Sequence, residues 1–137
     1  MKLSKTAEHA IRATIYIALQ ENRYVSVNEL KEKLDIPYKY VGRIMPVLAR
    51  AGIVHVQRGK LGGYKIEKDL SHIKLEDIVE ALETLEDFTR CLLGFPNCSD
   101  ENPCPVHEFW GPIRQKLSDE FLKLSLKDIT DRKIYKI

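Results

Sequence analysis

The chain has 137 residues, of which 44% are hydrophobic and 31% charged, with a formal net charge of +2 at pH 7. This composition fits one small globular domain with an appendage and excludes an intrinsically disordered chain. No apolar run reaches the roughly 18 residues that a membrane span needs, and the first residues lack the apolar core of a signal peptide. We therefore expect a cytoplasmic protein without a membrane partner.

Charge is segregated along the chain. The segment 36–66 contains six basic and no acidic residues, whereas the segment 75–89 contains six acidic residues and no Lys or Arg. A charge run is often only a solvated face, but a basic block beside an acidic one also indicates a local surface for a polyanion.

Two helices are predicted at the start of the chain. Small and aliphatic residues recur every three or four positions within 4–20, which predicts an amphipathic helix. Ser26 and Glu29 then have the spacing of a capping box, which predicts the start of a short second helix.

A third helix and a hairpin follow. The helix is predicted to begin after Pro37 and to end at Gly52, with a kink at Pro46. The β-rich runs 53–57 and 64–66 flank a basic, glycine-rich turn, which is typical of a β-hairpin. Two short helices and a hairpin in this order predict a winged helix-turn-helix.

The second half begins with another helix, with apolar residues from Leu75 to Leu85, followed by an irregular loop over 87–106. Beyond it the pattern Phe109–Leu124 predicts a long amphipathic helix, and Ser125 could cap a last short one. We expect a mainly α fold with a small β-hairpin, in which a winged helix-turn-helix domain is joined to a long dimerisation helix. The expected divisions are a DNA-binding domain (1–70), a connecting helix (71–87), a cysteine-rich loop (88–108), and the dimerisation helix with the C-terminal segment (109–137).

Candidate DNA contacts lie in the basic block. Lys39, Tyr40 and Arg43 occupy the first half of the third helix, the part that reaches base edges in the major groove. Arg58 and Lys60 lie at the hairpin tip, where neighbouring glycines let the backbone approach phosphates. A helix pair used for protein contact is the alternative, but the charge segregation favours double-stranded DNA.

The long helix carries an apolar stripe around Trp110 that a small domain cannot fully cover. Pairing two such stripes would form a symmetric homodimer and space two reading helices along a palindromic operator. The alternative is that the helix packs only on its own domain.

Three cysteines and a histidine form the pattern Cys91-x6-Cys98-x5-Cys104-x2-His107. Thiolates are soft ligands for iron–sulfur clusters or zinc, and a metal site fits a reducing compartment better than a disulfide framework does. The wide gaps disfavour a structural zinc site, and the lack of a C-x-x-C pair disfavours a thioredoxin-type activity. A single cysteine can be an ordinary buried apolar residue, but this role does not explain three cysteines in one polar loop.

Enzymes are disfavoured, because the sequence lacks a nucleophile–base arrangement and the glycine patterns of Rossmann and P-loop proteins. The basic helix and wing, together with the cysteine loop, favour a DNA-binding regulator that is controlled by an iron–sulfur cluster. Two alternatives stay open. One is a thiol- or zinc-based redox regulator without a cluster. The other is a non-DNA-binding iron–sulfur electron carrier, which would not need a basic helix and wing.

The chain resembles the bacterial winged-helix regulators typified by IscR, with NsrR as a relative. The matching segments are 1–4, 48–54, 58–64, 89–91 and 104–110. The wing motif Arg58–Tyr64 is fairly specific, and the segments 89–91 and 104–110 look especially IscR-like. The resemblance implies a transcription regulator and DNA contacts at Lys39, Tyr40, Arg43 and Arg58. Two departures exist: the first cysteine gap is one residue longer, and Gly42 replaces a residue that is acidic in IscR-like proteins and tied to the choice of DNA site.

The resemblance also implies a homodimer joined through the long helix, and an iron–sulfur cluster on Cys91, Cys98, Cys104 and His107, most simply 2Fe–2S. In NsrR-like relatives the cluster is 4Fe–4S, and a first-helix carboxylate of the partner subunit completes the ligand set. Glu8 matches that position, so a 4Fe–4S cluster with Glu8 as the alternative fourth ligand stays open. The signal, and the choice between repressor and activator, also stay open.

Overall fold

The computed structural model describes residues 3–83 and 85–132, except the side chains of Asp87 and Phe88. Residues 133–137 of the predicted C-terminal segment therefore lie outside the described residues, and so do Met1 and Lys2. Within the described ranges the order is α1 (Lys5–Leu19), α2 (Val27–Leu34), α3 (Tyr38–Arg50), β1 (His55–Gln57), β2 (Gly63–Lys65), α4 (Leu75–Leu82), α5 (Leu85–Thr89), α6 (His107–Lys116) and α7 (Leu126–Thr130). In these ranges no helix combines the length and apolar character needed to cross a membrane.

The predicted N-termini of the first two helices are confirmed. Ser4 Oγ accepts from the backbone N–H of Ala7 at 3.0 Å, and Ser26 Oγ accepts from that of Glu29 at 3.1 Å. Among the described residues the capping box at Ser26 is only half formed, because the Glu29 carboxylate is occupied elsewhere. It accepts from Arg23 and, at 2.7 Å, from Tyr16 Oη of α1.

The third helix ends as predicted. Ala51 caps α3, and Gly52 follows with φ +76°, the left-handed conformation in which glycine often terminates a helix. Pro46 lies within the helix on its exposed side, so its missing N–H costs one bond without ending the helix. The opposite face is buried in the domain core through Val41, Ile44, Met45 and Leu48.

The predicted hairpin is confirmed as an antiparallel pair with His55 opposite Lys65. The wing is also attached to the helices, because Val25, the residue before the cap of α2, pairs with Tyr64 of β2. The approach is so close that a Cβ on Gly63 would overlap the Val25 carbonyl.

The end of the described chain returns to the core. The Leu75 N–H donates to the Leu124 carbonyl at 2.9 Å, and the Leu126 N–H donates to the Ile73 carbonyl at 2.8 Å. We call this backbone pairing of 73–76 with 122–126 the return joint. The α7 that follows is capped as predicted by Ser125 and Asp128, and it packs on α1.

The helix after the cysteine loop is shorter than the predicted pattern. It runs through α6 and continues as a π-helical turn over Leu117–Phe121, so Leu124 lies beyond it. Trp110 does not lie on the exposed stripe, because it is 5% exposed and packs inside the chain. Phe109 and Ile113 are exposed, by 72% and 53%, and form an uncovered apolar face with Phe121.

Candidate metal centre and DNA-binding surface

The cysteine loop begins at the end of α5 and finishes at the start of α6. Its first residues are tied to α6, because the indole Nε1–H of Trp110 donates to the carbonyl of Arg90 at 3.0 Å. Arg90 directly precedes Cys91, and the Cys91 carbonyl accepts in turn from the N–H of Gly94 at 2.9 Å. The buried tryptophan therefore positions the first thiol against α6.

The structure brings the three thiols together. Their sulfurs lie within 4.8 Å of one another, and the sulfurs of Cys91 and Cys104 are 3.5 Å apart. Cys91 is buried, whereas Cys98 and Cys104 are half-buried. Three convergent sulfurs are a soft donor set of the type that binds iron–sulfur clusters or zinc.

The thiols differ in their acidity. Burial raises the pKa of Cys91, but the backbone N–H groups of Phe95 and Leu93 and the neighbouring thiols stabilise its thiolate and bring this pKa to about 7. The backbone N–H of Cys104 lowers the pKa of Cys98, but burial and the two nearby sulfurs outweigh it, and the pKa is raised.

His107 lies at the first position of α6 and is 7% exposed. Its Nδ1 is 3.2 Å from Cys98 Sγ, which adds a nitrogen donor beside the thiols. Its Nε2 is 2.8 Å from Asp100 Oδ1, and this hydrogen bond lowers the pKa of Asp100. The three thiols thus converge, and the His107 ring lies beside one of them, Cys98. This donor set fits a metal or cluster by its chemistry, although the assignment of the four residues as ligands stays a prediction.

Sequence reasoning missed Asp100. The only signal was a carboxylate seven residues before a predicted histidine ligand, in a loop where spacing does not determine contacts.

Glu8, the alternative fourth ligand, lies on α1, where its carboxylate accepts from Lys5 at 2.9 Å. Among the described residues, the group of close candidate ligands at the loop consists of the three cysteines and does not include Glu8. Ligation by Glu8 would involve the carboxylate of the partner subunit and remains a prediction.

The predicted DNA-contact residues of α3 lie on its outer side. Lys39 and Arg43 are exposed, and Gly42 is exposed between them. Tyr40 is half-buried, because its ring contacts His9 of α1 with a centroid distance of 5.0 Å, while Lys39 Nζ lies 5.5 Å from its centroid. Exposed cations on one helix face can contact phosphates and base edges.

The sequence suggests for His9 a surface or packing role on the first helix, with a lesser possibility as a ligand, and in the structure its ring packs against Tyr40. Its Nδ1 is buried without a hydrogen-bond partner among the described residues. Burial, followed by the charge of Arg12, lowers the pKa of His9. The ring therefore acts as a neutral packing surface beneath Tyr40.

On the wing, Arg58 and Lys60 are exposed in the turn between β1 and β2. The turn is closed by a hydrogen bond of 3.1 Å from the N–H of Gly62 to the carbonyl of Gly59. A Cβ on Gly62 would overlap the Gln57 backbone, so glycine is required there. The wing thus presents two cations at the tip of a tight turn.

Known proteins resemble this chain in sequence. The chain matches, over residues 3–132, the Rrf2 family, described as "Iron-dependent Transcriptional regulator". It is 31% identical over 131 residues to an HTH-type transcriptional regulator of Aquifex aeolicus (94% of this chain, 91% of the relative). It is 27% identical over 139 residues to the HTH-type transcriptional regulator IscR of Vibrio parahaemolyticus (100% of this chain, 82% of the relative).

Solved structures show the same fold. CymR, the global cysteine regulator of B. subtilis, superposes with a TM-score of 0.78 at 19% identity, covering 98% of this chain and 99% of CymR. T. potens IscR gives 0.71 at 19% identity, covering 100% and 94%. The predicted winged-helix fold is thereby confirmed, and the relatives regulate transcription rather than catalyse reactions. The chain belongs to the Rrf2 family, as an IscR-like, DNA-binding transcription regulator.

Proposed function

We propose that the protein is a cytoplasmic regulator whose binding to operator DNA is controlled by an iron–sulfur cluster. The observation that carries this proposal is the convergence of the three thiol sulfurs within 4.8 Å, with a buried imidazole nitrogen 3.2 Å from one of them. Cys91, Cys98, Cys104 and His107 would hold the cluster, with 2Fe–2S favoured and 4Fe–4S as the alternative. When bound, a cluster supplies redox-active iron that responds to oxidants, nitric oxide or iron supply.

The chain's own residues supply the connection to DNA. The loop is fixed to α6 by Trp110, and α6 carries the exposed apolar face of Phe109, Ile113 and Phe121. We propose that a second copy covers this face, so that two α3 helices and two wings engage a palindromic operator. A change in the order of the loop would then alter the spacing of the two DNA-reading units. The dimer would thus have two states, and the bound cluster would favour one of them.

The test is spectroscopy of anaerobically isolated protein, with Mössbauer data to separate 2Fe–2S from 4Fe–4S. We expect a brown protein whose absorption is lost in Cys98→Ala. His107→Ala should change the spectrum if His107 is the fourth ligand, whereas Glu8→Ala should change it if the partner's carboxylate is. Operator affinity should differ between cluster-bound and metal-free protein.

A thiol- or zinc-based regulator is the competing function, since the same sulfurs would bind zinc. Colourless protein with one zinc per subunit, or iron-free protein with unchanged operator affinity, would overturn cluster control while leaving DNA binding intact. An iron–sulfur electron carrier would be brown but would show no salt-dependent DNA binding.

A further inference from the structure

His107 lies between two partners on opposite sides of its ring. Its side chain is 8% exposed, Nδ1 faces Cys98 Sγ at 3.2 Å, and Nε2 faces Asp100 Oδ1 at 2.8 Å. Both ring nitrogens are thus engaged, one towards the thiols and one away from them.

The chemistry of the carboxylate determines the proton at Nε2. An ionised carboxylate only accepts hydrogen bonds, so a bond to Asp100 requires a proton on Nε2. A neutral imidazole protonated at Nε2 presents the Nδ1 lone pair to the thiols. Histidine ligands of metals generally donate their other N–H to a carboxylate, carbonyl or water, which fixes the tautomer and the ring orientation.

Asp100 is held in place by a local turn. The N–H of Ser99 donates to the carbonyl of Asn102 at 3.3 Å, and the N–H of Asn102 returns a bond to the Ser99 carbonyl at 3.1 Å. Asp100 lies inside this turn, with a side chain that is 99% exposed. Because the Asp100 side chain is almost fully exposed and packs on little, replacing it should leave the fold intact.

We propose that Asp100 is a positioning residue for His107: it keeps the proton on Nε2 and so makes Nδ1 the nitrogen that would bind iron. The part concerning iron rests on the proposed cluster function, whereas the tautomer of His107 does not. The neighbouring Glu101 carries the same charge, and no hydrogen bond to His107 is found for it in the described part of the chain, so it provides a matched control.

The first experiment uses the full chain without metal. The ¹⁵N resonances of the His107 ring are compared in wild type, Asp100→Ala, Asp100→Asn and Glu101→Ala. We expect protonation at Nε2 in wild type and Glu101→Ala, and retention in Asp100→Asn, whose amide oxygen still accepts. Asp100→Ala should give a mixture of tautomers. A proton on Nδ1 in the wild type, or an unchanged spectrum in Asp100→Ala, would refute the proposal.

The second experiment uses protein reconstituted anaerobically with ferrous iron and sulfide. Without the carboxylate the imidazole is a poorer electron donor, so the midpoint potential should rise more in Asp100→Ala than in Glu101→Ala. Equal shifts of the midpoint potential in the two variants would mean that the potential responds only to the lost charge. This result would overturn the role of the hydrogen bond. If no variant binds iron, the proposed cluster function fails, and the metal-free spectra alone decide the role of Asp100.

Discussion

Val25 and Tyr64 exchange two backbone hydrogen bonds, each 2.8 Å long, which join the wing to the start of α2. A methyl group on Gly63 would overlap this pair, so Gly63→Ala should lower the free energy of unfolding by more than about 1 kcal/mol and weaken operator binding. Gly42→Ala is the matched control: its Cβ meets open space, so helix propensity should stabilise the protein by about 0.5–1 kcal/mol. Chemical denaturation of both variants tests this, and equal stabilities would contradict it.

The basic residues of α3 and the wing should act through phosphates. Lys39→Ala and Arg58→Ala should weaken operator binding and reduce the slope of log affinity against log salt by about 0.9 for each phosphate that the protein no longer neutralises. Lys127→Ala removes an exposed charge from α7, paired with Asp131 at 3.1 Å, and should leave the slope unchanged. Fluorescence anisotropy over a salt series measures these slopes.

The uncovered face of α6 should mediate self-association. Ile113→Asp places a charge within it and should raise the dissociation constant of the dimer roughly tenfold or more. The folded monomer should be little affected, because Ile113 is exposed. Analytical ultracentrifugation measures the effect, with Gln115→Asp on the same helix as control. A wild-type monomer at all concentrations would remove the dimer from the proposal.

The indole of Trp110 should control the order of the cysteine loop. Trp110→Phe keeps most of the buried packing but loses the bond to the Arg90 carbonyl, at a cost of about 1 kcal/mol. Amide hydrogen exchange at Gly94, whose N–H donates to the Cys91 carbonyl, should therefore accelerate about fivefold. Tyr38→Phe, at an exposed ring on α3, should leave the loop unchanged. Equal exchange in both variants would show that the hydrogen bond does not order the loop.

Acid stability should depend on Glu29. Hydrogen bonds from Arg23 lower the pKa of Glu29 from its ordinary 4.5 to about 2. A depressed pKa means that the carboxylate stabilises the folded state fully above about pH 4.5, and that this contribution is lost as pH falls towards 2.

Glu29→Gln should thus destabilise the protein at pH 7 by roughly 1 kcal/mol. This figure is kept small because Arg23 is exposed, and solvent weakens its interaction with Glu29. The difference from wild type should shrink between pH 5 and pH 3. Thermal melts across this range measure it, and Glu32→Gln, on the exposed side of α2, should show no such convergence.

Local signals explain what could be predicted from the sequence. Ser4, Ser26 and Ser125 cap helices because each short hydroxyl side chain accepts from a backbone N–H only three residues further along the chain. The convergence of the loop cysteines could be inferred because three soft ligands in one polar loop have few other uses.

Contacts between distant residues could not be predicted in this way. The Trp110–Arg90 bond spans 20 residues, and the pairing of Val25 with Tyr64 joins the residue before a helix cap to a wing strand. Hydrophobic periodicity specifies which face is buried but not its neighbour. For that reason the sequence pattern places Trp110 on an exposed stripe, whereas the structure buries it within the chain.

The return joint has a consequence for the direction of control. It fastens the segment after α6 to the start of α4, and α4 packs directly against α3, the helix proposed to read DNA. Lys123 adds an ion pair of 2.9 Å to Glu76 across the joint. Coupling between two binding sites is thermodynamically reciprocal. If the cluster changes the affinity of the protein for its operator by some factor, operator DNA must change the affinity of the protein for the cluster by the same factor. On the proposed function, the occupied operator is therefore an effector of the metal centre as much as its target.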